Sequence, residues 1–170
     1  MSEFKVERQD GSLLLNVQLK LELGPALEDA LVKGLAVHFV ADAEVMRDRW
    51  YWYDKKLGMV SRYYRLAYQP LTRRWRLNVS SEPIARSGVT SSLSQNFESL
   101  REAIDVIRRQ TSWKVADMSD IDLDARQYVA YRFRLDVSQL PRPFQIAAGN
   151  QADWRLDIAR SLRLTSDMVR

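Results

Sequence analysis

The stretch "HFVADAE" spaces His38, Asp42 and Glu44 at even intervals, so on an extended chain an imidazole and two carboxylates share one face. Those are the residue types of a metal or acid–base site. A lone histidine on a strand is more commonly a packing residue, and His38 is the only histidine in the chain. "DMSDIDLDAR" offers carboxylates at Asp117, Asp120, Asp122 and Asp124. It lacks the glycine and terminal glutamate of a calcium loop, so it reads as an acidic surface turn. The serines have no nucleophile-elbow context, and the absence of cysteine removes thiolate ligands, disulfides and a cysteine nucleophile. The residues therefore point away from an enzyme and imply no metal and no cofactor.

Binding chemistry has stronger candidates. "RDRWYWYDKK", residues 47–56, sets four aromatics between cationic clusters. If the strand before it stays regular, Tyr51 and Tyr53 continue the buried face and Trp50 and Trp52 take the other. Flanked by Arg47 and Arg49, the tryptophans would form a platform of the kind enriched in binding hot spots. The competing reading buries one pair and packs the other under a loop, because aromatic rings favour strands and carry much apolar area. Arg74 and Arg76 share the polar face of one strand candidate, and Arg132 and Arg134 that of another. Aligned across one sheet, the four would make a cationic stripe able to hold an anion. The bland alternative is a solvated face with cross-strand ion pairs. Arg62 and Arg65 fall on opposite faces of their strand and cannot join one row.

Composition sets the frame for these candidates. The 170 residues carry a formal charge of +4, and arginine heavily outnumbers lysine. Arginine suits bidentate recognition of carboxylate or phosphate. Interleaved arginine and aromatics also raise a nucleic-acid-binding module, but no aromatic/glycine RNA-recognition motif and no GXXG loop is present, so nucleic acid is the lesser alternative. No apolar run is long enough for a transmembrane helix. "MSEFKVERQD" has neither the basic nor the apolar region of a signal peptide.

Strict alternation in "SLLLNVQLKLEL" predicts a half-buried strand, preceded by a weaker one and joined to it at Asp10-Gly11, a favoured hairpin turn. "GPALEDALVKG" predicts a short helix with Pro25 in its first turn and Gly34 just past its last. Leu35 to Tyr53 reads as the longest strand, "DKKLGM" as a turn, then "VSRYYRLAY" and "RWRLNV" as strands of a meander. Residues 80–95 read as a long serine-rich loop. Asn96 is the predicted N-cap of a second helix that begins with Phe97 and closes at Arg108 and Arg109. Short strands follow at 112–117 and 126–137. "SQLPRPFQI" reads as a proline-locked extended crossover that seats Phe144 in the core, with an exposed docking segment as the alternative. A last strand lies in "DWRLDIARSLRL". These pieces predict one domain over 1–170, an α+β or mainly β antiparallel two-layer sandwich of immunoglobulin-like character with two short helices. A single sheet with helices on one side is the runner-up.

The order "RWYWYD", "SRYYRLAYQPLTRRWRL", "FESLREAIDVI", "WKVAD" and "SQLPRPFQI…DWRL" resembles the bacterial family numbered 4390 in the domain-of-unknown-function series, from about Leu13 to Leu156. Members of that family look like exported proteins with an N-terminal signal segment, and their genes tend to sit beside a sensor kinase of the nitrogen-regulation type. The resemblance thus implies a periplasmic or envelope location, with a signal segment removed ahead of Ser2. It also implies a protein or small-ligand partner linked to such a membrane kinase. It supplies no catalytic residues. Two features depart from the family pattern: the 80–95 loop is longer, and "ARSLRLTSDMVR" lacks a tryptophan-bearing ending.

Overall fold

The structure is a computed structural model, and it describes residues 3–47, 55–84, 93–122, 126–148 and 154–167. Strand β1 (Glu3–Gln9) pairs with β2 (Ser12–Gln18) through a two-residue turn in which Asp10 and Gly11 both take positive φ, 49° and 75°. That turn matches the right-handed strand twist, and Asp and Gly are the residues that tolerate it. Leu13, Leu15 and Val17 point inward. Beyond β2 the chain leaves the ladder but keeps its alternation, and Leu19 and Leu21 remain buried. This segment is held by Arg108, whose backbone carbonyl accepts from Leu19 N–H at 2.9 Å and whose Nε donates to the Leu21 carbonyl at 2.8 Å.

Helix α1 (Pro25–Val32) starts on proline and ends in Gly34 at φ 100°. The Gly34 and Leu35 amides donate back to the Leu31 and Ala30 carbonyls, each at 3.0 Å, the paired bonds of a left-handed helix stop. Strand β3 (Val37–Arg47) pairs on both sides, with β4 (Lys55–Gln69) and with β8 (Gln127–Leu135). Its Val37, Phe39, Ala41, Ala43 and Val45 are fully buried. The long strand predicted to Tyr53 is present as far as Arg47, and its residues 48–53 lie outside the described residues. Of the turn predicted over "DKKLGM", the described residues 55–59 are instead strand, because Lys55 and Lys56 already pair with Arg47 and Met46.

Strands β5 (Arg74–Ser80) and β6 (Leu93–Phe97) extend the meander. Phe97 is therefore a strand residue, and Asn96 caps nothing. Helix α2 (Leu100–Arg108) is capped by Ser99, whose hydroxyl accepts from Glu102 N–H at 3.2 Å, while the Glu102 carboxylate accepts from Glu98 N–H. Arg109 is the first residue of β7 (Arg109–Asp117) and not the last of the helix. The acidic turn holds a single 3-10 turn, Met118–Asp120. After β8, a second 3-10 turn, Val137–Gln139, leads into α3 (Arg142–Ala148), and β9 (Asp157–Arg163) completes the chain. The described helices thus number three rather than two.

Two antiparallel sheets result, ordered β1-β2-β7 and β6-β5-β4-β3-β8-β9. Their facing sides, with α1 and α2 closing the sandwich, form one continuous core. The immunoglobulin-like expectation holds at this level of two packed antiparallel layers, and the single-sheet alternative is excluded by the second sheet. "PRPFQI" is a correction: the segment is helical, because Pro143 lies in the first turn, where a missing N–H costs nothing. Phe144 sits on its outer side at 40% exposure, and the residue fully buried there is Leu140.

Candidate functional site

Trp50, Trp52, Arg49, Tyr51 and Tyr53 lie outside the described residues. Arg47, at the end of β3, reaches Asp122 of the acidic turn with Nη2–Oδ2 at 2.8 Å. Its charge is thus matched within the fold.

The four stripe arginines occupy one sheet and one face, but not one row. From the strand register, Arg76 lies opposite Ala67, whereas Arg134 lies opposite Val40, itself opposite Tyr63. Four residues along the strand and three strands across separate them by roughly 20 Å. Arg132 forms a two-point pair with Asp157, at 2.9 and 2.5 Å, and Arg134 stands 4.0 Å from Asp136. This half of the stripe is neutralised. Arg74 and Arg76 are exposed on β5. Arg65, beside Arg76, has its Nε buried without a hydrogen-bond partner, and burial first, then the Arg76 charge, lower its pKa.

The Arg132–Asp157 pair carries a pH prediction. The hydrogen bond from Arg132 holds the Asp157 carboxyl below the usual carboxylate range. A carboxyl depressed in the folded state stabilises above its unfolded pKa of about 3.9, and the contribution is lost as pH falls through the lower folded value. An NMR titration should place the Asp157 midpoint below that of an ordinary aspartate. Arg132→Gln should return it to the ordinary range; an unmoved midpoint would show that the pair is not the cause.

His38 lies on the same outer face at 6% exposure, and Asp136 N–H donates to its backbone carbonyl at 2.8 Å. Asp42 lies four residues further along the strand, about 13 Å away, and accepts instead from Ser61 Oγ. The three residues do not converge. Among the described residues no group of three His, Asp or Glu side chains could hold a metal ion.

The polar chemistry of the interior is concentrated between the sheets. Strand β7 is bulged: Val17 pairs with Gln110 and Leu15 with Trp113, so two steps on β2 meet three on β7, with Ser112 at φ 52°. The extra residue breaks the period of two and turns both Gln110 and Trp113 inward. Gln110 is fully buried; its Oε1 accepts from the Tyr131 hydroxyl at 2.8 Å and its Nε2 donates to the Ile107 carbonyl at 3.1 Å. Burial, reinforced by neighbouring Tyr64, pushes the Tyr131 phenol far above its ordinary pKa. Tyr64 is also raised by burial, against the opposing pull of Arg62.

Arg62 lies on this inward face of β4, between Val60 and Tyr64. Its guanidinium stands over the Trp113 indole, 4.8 Å from the ring centroid. No carboxylate pairs with Arg62 among the described residues. The two side chains form the floor of a cleft of about 690 Å³ whose other wall is Val79, Ser80, Leu93 and Gln95. The cleft exists because the large sheet overhangs: β7 packs over β3 and β4, and α2 covers Trp75, Leu77 and Phe97, which leaves the Val79–Leu93 end of β5 and β6 open. Leu93 accordingly has 78% of its surface exposed although it points toward the inner side. Alternation alone placed Arg62 with the apolar positions of "VSRYYRLAY", and a charge on an apolar face was the available signal. The bulge that brings Trp113 to it has no sequence signature.

A second hollow, about 540 Å³, lies on the outer face over the small side chains of Ala130, Ala159 and Ser161, bordered by Asp42, Glu44, Met59 and Arg132. It is shallow, and its arginine is already paired with Asp157. The Arg62–Trp113 cleft is the better candidate site because it combines exposed apolar surface with a cation that pairs with no described carboxylate. What such a cleft can do chemically is hold a carboxylate or other anion beside an aliphatic group.

Among the described residues, no helix is long and apolar enough to cross a membrane. Searches of curated proteins and of solved structures return no match to the chain. The family model described as Domain of unknown function (DUF4390) matches residues 1–163, and the chain belongs to that family.

Proposed function

We propose that the chain is a non-catalytic domain of the bacterial cell envelope that binds a partner, with the Arg62–Trp113 cleft as its contact site. The observation that carries this reading is the Arg62 guanidinium, held on Trp113 at an open apolar cleft with no carboxylate to match it among the described residues. A partly buried cation kept in that position is a binding determinant waiting for an anion. The envelope location and a link to a neighbouring sensor kinase rest on the family resemblance alone. The nucleic-acid alternative draws less support, since Trp113 is buried under Arg62 and unable to stack a base, and Arg132 and Arg134 face acidic residues within the fold.

The test uses the full gene product in its native host, with a photo-crosslinking side chain at Gln95 beside the cleft or at Leu71, a fully exposed turn residue. The expected result is a discrete adduct from position 95 in the envelope fraction and none from position 71. Equal adducts from both positions, or a purely cytosolic protein, would contradict the proposal.

A further inference from the structure

Among the described residues, four strands form the edges of the two sheets: β1 and β7 of the small one, β6 and β9 of the large one. Open edges invite pairing with other chains, and proteins commonly block them with charge. Three of these edges are blocked so. Strand β1 carries Glu3, Lys5, Glu7 and Arg8; β7 carries Arg109, Lys114 and Asp117 and is bulged; β9 carries Asp157, Arg160 and Arg163. Strand β6, "LSQNF", has no charge, no proline and no bulge, and it is exposed along most of its length. Its only described strand partner is β5, so the backbone groups on its far side are open to a new strand. The unprotected edge also borders the candidate site, since Leu93 and Gln95 line the same cleft as Arg62 and Trp113.

Resting on the cleft reading above, we propose that β6 receives an extended segment of a partner protein as a seventh strand of the large sheet. The segment's inward side chains are apolar against Leu93, with one glutamate extended across β6 and β5 toward the Arg62 charge. Each part of the occupant follows from a feature of the cleft. The open ladder requires an extended backbone, the exposed Leu93 an aliphatic neighbour, and the unpaired Arg62 an acidic residue. The outward side chains would lie beside Ser94 and Asn96 and need only be small and polar.

The probe is the peptide Ac-Glu-Thr-Val-Thr-Val-Thr-Glu-NH2, which puts both valines and both glutamates on one face, whichever direction it runs. One control replaces both glutamates by lysine, and another N-methylates the central threonine and the valine after it, whose N–H groups point to opposite edges, to block the ladder in either direction. NMR of the full chain reads two signals: hydrogen-exchange protection of the Ser94–Phe97 amides and movement of the Trp113 indole resonance. The acidic peptide is expected to produce both, and its affinity should fall at least ten-fold in either control, in Arg62→Gln and in Leu93→Asp. Leu93 is exposed, so that second variant tests the site without threatening the fold. A Trp113 shift without β6 protection would overturn strand addition and leave the cleft reading standing. Absence of both signals would sink the two together. Protection of β6 that grows with protein concentration, before any peptide is added, would assign the edge to a second copy and overturn the proposal.

Discussion

Phe133→Ala is expected to destabilise the domain by about 3–5 kcal/mol, the usual cost of emptying an aromatic site in a packed core. For a chain of this size that lowers the melting temperature by roughly 6–20 °C. Phe133 is fully buried on β8, stacked on Phe39 of β3 with centroids 5.5 Å apart and the ring planes 14° from parallel. The edge of Tyr64 closes the cluster at 6.4 Å. Three adjacent strands thus meet at one ring, and neither Ala41 nor Ala43 beside it can fill the space. The contrast is Phe144→Ala. That ring lies on the outer side of α3, and its loss should cost less than about 1 kcal/mol. Denaturant unfolding of the two variants checks the pair. Equal costs would mean that α3 is seated differently and that Phe144, not Leu140, enters the core.

Gln110→Ala is the second large effect, expected at about 2–4 kcal/mol, because it combines a cavity with two orphaned groups. The Tyr131 hydroxyl would lose its acceptor and the Ile107 carbonyl its side-chain donor, all beneath the small sheet. Tyr131→Phe is milder, about 1–3 kcal/mol, since it leaves only the Gln110 carbonyl oxygen unmatched. Combining Tyr131→Phe with Gln110→Met removes both halves of the bond, and the double variant should be more stable than the summed losses of Tyr131→Phe alone and Gln110→Met alone imply. Strict additivity would show that the two side chains do not interact. The same burial keeps the Tyr131 phenol protonated. Its folded pKa exceeds the unfolded one, so its contribution is complete below about pH 10 and declines only above that.

Much of this fold was readable from alternation. Leu13 to Val17, Val37 to Val45 and Val129 to Leu135 are inward-facing series visible in the sequence, and each is buried. The Asp10-Gly11 turn and the Gly34 stop were legible because each demands a backbone conformation that few residues accept. The failures have physical causes. Asn96 and Ser99 are both good cap residues, and the Glu102 three residues beyond Ser99 was the deciding mark. Two prolines in "PRPFQI" suggested extension, but proline is compatible with a helix's first turn, and only tertiary contacts choose. The candidate site was hardest to read. It joins Arg62 of one sheet to Trp113 of the other, residues 51 positions apart, through a bulge at Ser112 that shifts the parity of β7. Period-two reasoning has no access to a shift of one residue. The row of arginines was illegible for the complementary reason: face was predictable, but strand order and register were not, and these separate Arg76 from Arg134.

The proposed contact role of the cleft depends on the Arg62 cation. The most direct measurement repeats the Gln95 photo-crosslink in cells carrying Arg62→Gln, with Arg62→Lys as the charge-retaining companion and thermal unfolding to verify the fold. Arg62→Gln is expected to lose the adduct at least ten-fold, while Arg62→Lys, which keeps the charge but not the planar stacking on Trp113, should retain an intermediate yield. A folded Arg62→Gln protein that crosslinks as strongly as the original would contradict that role.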